Sequence, residues 1–198
     1  MHLLADDRYT HVTALVRKKS LRANSKLAQL ILDFGALPAL PTADDAYCCL
    51  GTTLKKAGSQ AAFRQVDFEC VVNFARAAKQ ADVKRFLVIS SLGANARSAV
   101  FYSRVKGEME NALRTIDFDT VHIFQPSLIL GERKVARPAE RFGIAAFNAV
   151  GAVMVGPMRK YRPIASATIA QAMLNAAFSA SRGISAYQSD AIETLARP

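Results

Sequence analysis

The sequence is poor in the residues that build disulfide frameworks and metal centres. Its 198 residues hold three cysteines and three histidines. Cys48, Cys49 and Cys70 form an odd set without metal-ligand spacing, so reduced thiols are expected. His2, His11 and His122 are scattered, which leaves a metal site without support. Long apolar runs are also missing. The least polar stretch, Phe142 to Pro157 (FGIAAFNAVGAVMVGP), falls short of the ~20 residues a spanning helix needs. A buried helix is expected there. Its basic flanks (Arg133, Lys134, Arg137, Arg141, Arg159, Lys160) leave open a peripheral contact with an anionic membrane surface. Met1 to Asp7 carries no long apolar core, so no secretory signal is expected, and the reduced thiols lead to the expectation of a cytoplasmic location.

Acidic residues are scarce as well: 16 against 26 lysines and arginines, a net charge of +10. The bases are spread along the chain, with no basic helix and no interleaved aromatics. A solvated surface and a phosphate-bearing ligand are therefore expected rather than a nucleic acid, whose binding would show as steep salt dependence. With 51% hydrophobic residues at this length, one globular domain with a substantial core is expected.

Apolar runs and turn residues alternate along the chain. Met1 to Asp7 reads as the end of a helix. Val12 to Val16 is a β-branched strand ending in Arg17-Lys18-Lys19. Leu30 to Asp33 reads as a short strand, and Ala46 to Leu50 as a buried one that runs into Gly51-Thr52-Thr53. A glycine there lets the backbone approach a ligand, and the threonines offer hydroxyls and amides. Gln60 to Ala81 is helical, with Phe63, Val66, Val71, Phe74, Ala77 and Ala78 on a broad apolar stripe. Thr120 to Leu130 is strand with a turn at Pro126, and Thr168 to Phe178 is helix. The repeated strand–helix order, with strands buried on both faces, implies an α/β fold with a parallel sheet and right-handed crossovers.

The stretch from Lys84 to Asn111 carries the chemistry. Phe86 to Ile89 reads as a strand buried on both faces, leaving at Ser90-Ser91 and Gly93. Tyr102 opens a helical segment, and Lys106 stands one turn later on the same face. A phenol, an ammonium and two hydroxyls thus gather at the C-terminal edge of a buried strand, where open α/β sheets bind ligands. An ammonium within a few ångströms of a phenol favours the phenolate. Proton transfer to or from a carbonyl or alcohol oxygen is the chemistry this trio suits, although Tyr-x-x-x-Lys also occurs on helices by chance.

V-I-S-S-L-G-A, F-Y-x-x-V-K-G-E-x-E, C-C-L-G-T-T-x-x-K-A-G and P-S-L-I-L-G-E-R together resemble the short-chain dehydrogenase/reductase superfamily. The likeness is to its atypical branch of small NAD(P)-binding proteins related to the mammalian Tat-interacting protein. It also takes in Arg137-Pro138, Tyr161-Arg162-Pro163-Ile164 and the tail from Ile184 to Arg197. The resemblance implies that Tyr102 is the general acid/base, that Lys106 holds the nicotinamide ribose and tunes the tyrosine, and that Ser90 or Ser91 orients the substrate. It implies cofactor contacts at Leu50, Gly51 and Thr52, and at Ile129 and Arg137 in the loop that closes over the nicotinamide end. Gln125 stands where the family more usually has arginine.

In a dinucleotide-binding sheet, the residue after the second strand reads the adenosine ribose: an acid suits the 2′-hydroxyl, an arginine the 2′-phosphate. Arg17 and Lys18 therefore point to NADP over NAD, unless that triplet is only a solvated turn. The glycine-rich turn that cradles the pyrophosphate, Gly-x-Gly-x-x-Gly or Gly-x-x-Gly-x-x-Gly, is absent. The expectation is a doubly wound Rossmann-type sheet starting inside its first helix, without first strand or phosphate loop. It is read as one domain over residues 1–198, with the substrate or cap part within 131–165. The activity expected is an NADP-dependent oxidoreductase acting on a small carbonyl or alcohol, with poor dinucleotide binding and an inactive chain expected as written for want of the phosphate loop, and with a non-catalytic NAD(P)-sensing or scaffolding protein as the alternative.

Overall fold

The computed structural model describes residues 2–19, 23–130 and 156–197. The fold grows from its most apolar strand. The elements, in chain order, are α1 (His2–Ala5), β1 (Val12–Val16), β2 (Leu27–Ile31), β3 (Asp45–Cys48), α2 (Leu54–Ala57), α3 (Gln60–Arg64), a π-helical turn (Gln65–Glu69), α4 (Cys70–Gln80), β4 (Arg85–Ile89) and α5 (Phe101–Arg114). They continue with β5 (Thr120–Gln125), β6 (Ile129–Leu130), a 3-10 helix (Gly156–Tyr161), β7 (Ile164–Ala165), α6 (Ser166–Ala177), β8 (Gly183–Gln188) and α7 (Ser189–Leu195).

Every strand pair is parallel. Successive side chains on β4 point to opposite faces of the sheet, and each face has its own core. Phe86 and Val88 join Val71, Phe74, Ala75 and Ala78 of α4 with Met109 and Leu113 of α5. Leu87 points the other way, into Ile169, Ala172, Met173 and Ala176 of α6 and Ile192 of α7. The result is a helix–sheet–helix sandwich, the doubly wound arrangement expected from strands apolar on both faces.

The sheet has two main parts. β3-β4-β5-β8 form one ladder and β1-β2 another, with β6-β7 as a short separate pair. Between β1 and β3 lies a cavity of about 580 Å³, walled by Val12 to Leu15, by Ala46 to Leu50, and by Phe74, Ala78 and Val83 beneath. Tyr9 spans its mouth: its hydroxyl donates to Asp45 (2.5 Å) and lies 2.5 Å from the Tyr47 hydroxyl, which is left to donate to it. Burial, with the Asp45 carboxylate beside it, pushes the Tyr9 phenol well above its ordinary range.

Element bounds follow local chemistry where they differ from the expectation. β2 starts at Leu27 because Leu27 to Ile31 match Val12 to Val16 residue for residue. It stops before Asp33, whose carboxylate turns back to accept the Gly35 amide at 2.9 Å, a turn that competes with the ladder. β3 ends at Cys48 rather than Leu50. The helix expected over Gln60 to Ala81 is interrupted by the π turn at Gln65–Glu69. Most of the apolar stretch expected to be a buried helix, and Arg137 with it, lies outside the described residues.

The loop from Gly93 to Val100 is pinned against α5. The Asn95 amide donates to the Ser103 carbonyl (3.0 Å), and Arg104 reaches back to the Ser98 carbonyl (2.9 Å). Gly107 makes this contact possible: a Cβ there would lie 2.1 Å from the Ala96 nitrogen and 2.3 Å from the Asn95 carbonyl carbon. Both obstacles are backbone and cannot swing away. Gly107→Ala is expected to cost ~3 kcal/mol or more, the upper end of overpacking effects, read as a lower urea midpoint at unchanged slope.

Candidate functional site at the C-terminal sheet edge

Helix α5 presents three polar side chains at successive turns, Tyr102, Lys106 and Glu110, on one face. Lys106 and Glu110 are 4% and 6% exposed, so each needs a partner. The partners come from different elements, and this is how the edge is assembled.

Lys106 Nζ lies 2.7 Å from Asp67 Oδ1. The other carboxylate oxygen of Asp67 accepts the Thr52 amide at 2.8 Å. Asp67 is 1% exposed and sits in the π-helical turn. Gly51 closes this corner: a Cβ there would stand 3.4 Å from Asp67 Oδ1 and 4.0 Å from Lys106 Nζ. The loop after β3, the π turn and α5 therefore meet at one buried ion pair. Of the sequence-predicted residues, this brings together Lys106, Gly51 and Thr52.

Glu110 forms the second junction. Ser90 donates to its Oε1 at 2.5 Å, and the Gln125 amide nitrogen lies 2.9 Å from each carboxylate oxygen. Thus β4, β5 and α5 are tied by one carboxylate. The Ser90 hydroxyl is buried and committed to Glu110. Ser91, half-buried, makes only a long bond to the Leu92 carbonyl at 3.3 Å. Tyr102 is half-buried, its ring 5.5 Å from that of Phe63 on α3.

The remaining predicted residues are elsewhere. Arg17 and Lys18 are exposed at the end of β1 and line a second depression with Leu15, Val16, Phe34 and Leu50. Leu50 is the link, since it lines this depression and precedes Gly51. Ile129 lies on β6, is 43% exposed, and pairs with Ile164. Neighbouring Ser127 ties that segment to the Arg162 carbonyl and to Ser189 of α7.

Sequence reasoning overlooked Asp67 and Glu110. Each had a signal. Asp67 is a carboxylate midway between Phe63 and Val71, on the face where only apolar side chains were sought. Glu110 repeats the spacing of Tyr102 and Lys106 by one further turn.

Arg17 and Lys18 supply exposed positive charge at the end of β1, and the Lys106 ammonium lies beside the Gly51–Thr52 loop; their chemistry suits a phosphate and ribose hydroxyls.

A family model described as NAD(P)H-binding matches residues 1–180. Rat HTATIP2 is 35% identical over 145 residues, covering 70% of this chain and 60% of that protein. The mitochondrial protein fmp52 of Aspergillus niger is 36% identical over 143 residues, 72% of this chain and 61% of its own length. The chain therefore spans about three fifths of these relatives. Among solved structures, MoeE5 in complex with UDP-glucuronic acid and NAD superposes with a TM-score of 0.68 at 17% identity, over 93% of this chain and 70% of that one, a likeness of fold. The chain belongs to the NAD(P)H-binding family, and the resemblance to atypical short-chain dehydrogenase/reductase proteins is borne out. The cytoplasmic expectation is not: several relatives are named as mitochondrial proteins. Unpaired thiols report a reducing compartment and do not select among organelles, which is why that reasoning failed.

The Glu110 junction separates structure from chemistry. Glu110→Ala leaves the buried Ser90 hydroxyl and the half-buried Gln125 amide without their acceptor and is expected to cost about 2–4 kcal/mol, against about 1 kcal/mol for Ser90→Ala. Urea denaturation of both variants measures the difference.

Proposed function

We propose that this member of the NAD(P)H-binding family is an oxidoreductase domain that interconverts a carbonyl and an alcohol on a small substrate, using NADP. The observation that carries the reading is the stacking of Tyr102 and Lys106 on consecutive turns of α5. Lys106 Nζ reaches the Gly51–Thr52 loop, next to the ends of β3 and β4. Substrates of open parallel sheets bind at that edge.

A nicotinamide held here would supply the hydride; the chain supplies the proton and the geometry. Tyr102 Oη gives its proton to the carbonyl oxygen as negative charge develops there, and takes one back in the reverse direction. Ser91, the serine left without a strong partner, hydrogen-bonds the same oxygen. Lys106 has three N–H groups and spends one on Asp67, which leaves two for ribose hydroxyls. Arg17 and Lys18 would hold the 2′-phosphate of the adenosine ribose, and Leu50, which lines the same depression, would offer it an apolar wall. The substrate part is assigned to residues 131–165.

A second reading, an NAD(P)-sensing or scaffolding protein without turnover, draws on the burial of Lys106 and its commitment to a carboxylate. Incubation with NADPH and a panel of carbonyl compounds, followed by absorbance, separates the two. Loss of NADPH absorbance supports the oxidoreductase, and NADPH binding with no turnover across the panel supports the sensor.

Tyr102→Phe is expected to abolish turnover while NADPH affinity stays within a few-fold, because only the acidic proton is lost; full activity in this variant would sink the acid/base assignment. Arg17→Ala is expected to narrow the preference for NADPH over NADH by about tenfold, the worth of one charge-assisted hydrogen bond. Fluorescence titration with both cofactors reads it, and equal affinities in the parent protein would remove the case for NADP.

A further inference from the structure

Asp67 raises a question of energetics. A buried carboxylate–ammonium pair is weak evidence for stability, because desolvating both charges offsets most of their attraction. Yet Asp67 and Lys106 are 1% and 4% exposed, and a π-helical turn occurs at the acid's position. Single π turns inside α-helices concentrate at functional sites. The two carboxylate oxygens do different things: one takes Lys106 Nζ at 2.7 Å, the other the Thr52 amide at 2.8 Å. The glycine before that amide leaves 3.4 Å between a would-be Cβ and the first oxygen. One side chain thus fixes both the lysine head and the loop proposed to face the cofactor.

We propose that Asp67 is a positioning residue: by holding Lys106 Nζ and the Thr52 amide together, it sets the lysine for the nicotinamide ribose. The proposal rests on the oxidoreductase reading for its cofactor, but the link itself is a property of this chain. Asp67 touches neither substrate nor cofactor and acts through Lys106. Three consequences distinguish this from a role in stability alone. Removing the carboxylate weakens cofactor binding as removing the lysine does. The two losses are not additive, since one acts through the other. Lys106, freed from its partner, becomes open to acylation.

The test uses the parent protein with Asp67→Asn, Lys106→Met, the double variant, and Asp67→Glu, which keeps the charge should Asp67→Asn fail to fold. NADPH dissociation constants are read by fluorescence, melting temperatures by calorimetry, and acetylation at Lys106 by mass spectrometry after limiting N-hydroxysuccinimidyl acetate. Each of Asp67→Asn and Lys106→Met is expected to weaken NADPH about tenfold, and the double variant no more than about twofold beyond the weaker single. Asp67→Glu is expected to weaken it by about threefold through displacement of the ammonium. Acetylation of Lys106 is expected to rise about fivefold or more in Asp67→Asn, the sign of a lost ion pair. Parent-like NADPH affinity and acetylation in Asp67→Asn or Asp67→Glu overturn the proposal. So does a double variant whose loss is the product of the two singles. A parent that fails to bind NADPH overturns the cofactor reading instead, and the acetylation of Lys106 then decides the Asp67 link alone: protected in the parent and exposed in the variant upholds it, equal labelling overturns it.

Discussion

Burial of the centre of β4 on both faces is the constraint on which the rest depends. Phe86, Leu87 and Val88 are all 0% exposed, so neither side of the strand can face water. Each side must be covered by helices, and parallel neighbours joined through crossover helices are the arrangement that does this. α4 and α5 cover one face, while α6 and α7 cover the other. The strand's C-terminal end, Ser90-Ser91, is then carried to the edge of the sheet, with β3 and β5 on either side. The site is a consequence of where the core strand stops.

At that edge, the main problem is charge. Four ionisable or hydroxyl-bearing side chains, Asp67, Ser90, Lys106 and Glu110, are nearly excluded from solvent. They are satisfied as two separate junctions rather than one network. Asp67 neutralises Lys106 and ties in the loop after β3, whereas Glu110 gathers Ser90 and Gln125 and ties β4 to β5. Both junctions hang from α5 one turn apart, so the helix is anchored before any ligand arrives. A rigid helix bearing Tyr102 and Lys106 has less ordering left to do on binding, the general advantage of preorganised sites. Gln125 offers Glu110 a neutral amide, so that junction is hydrogen-bonded rather than ionic.

Much of the architecture was legible in the order of residues. β1 and the core of β4 follow from β-branched and aromatic runs bounded by charge or glycine, and α5 and α6 from helical spacing. Tyr102 and Lys106 were legible because a four-residue interval places them on one face whatever surrounds the helix. Less legible were the ends of β2 and β3, set by register against a neighbour and by the Asp33 turn. The π turn left no mark in the apolar period, since Phe63, Asp67 and Val71 keep ordinary helical spacing.

The sequence by itself determined the class of fold, the sheet edge at which the polar side chains gather and the NAD(P)H-binding family, because these depend on local spacing and on motifs contiguous in the chain. Only the tertiary structure decided what each polar group spends its bonds on. Ser90 and Ser91 are adjacent and chemically identical, yet the first is buried on Glu110 and the second is left at the edge. Asp67 lies 39 residues before Lys106, and nothing local to either announces a 2.7 Å pair. Hydrogen bonds between elements distant in sequence depend on how helices pack across a sheet, and packing is a property of the whole core.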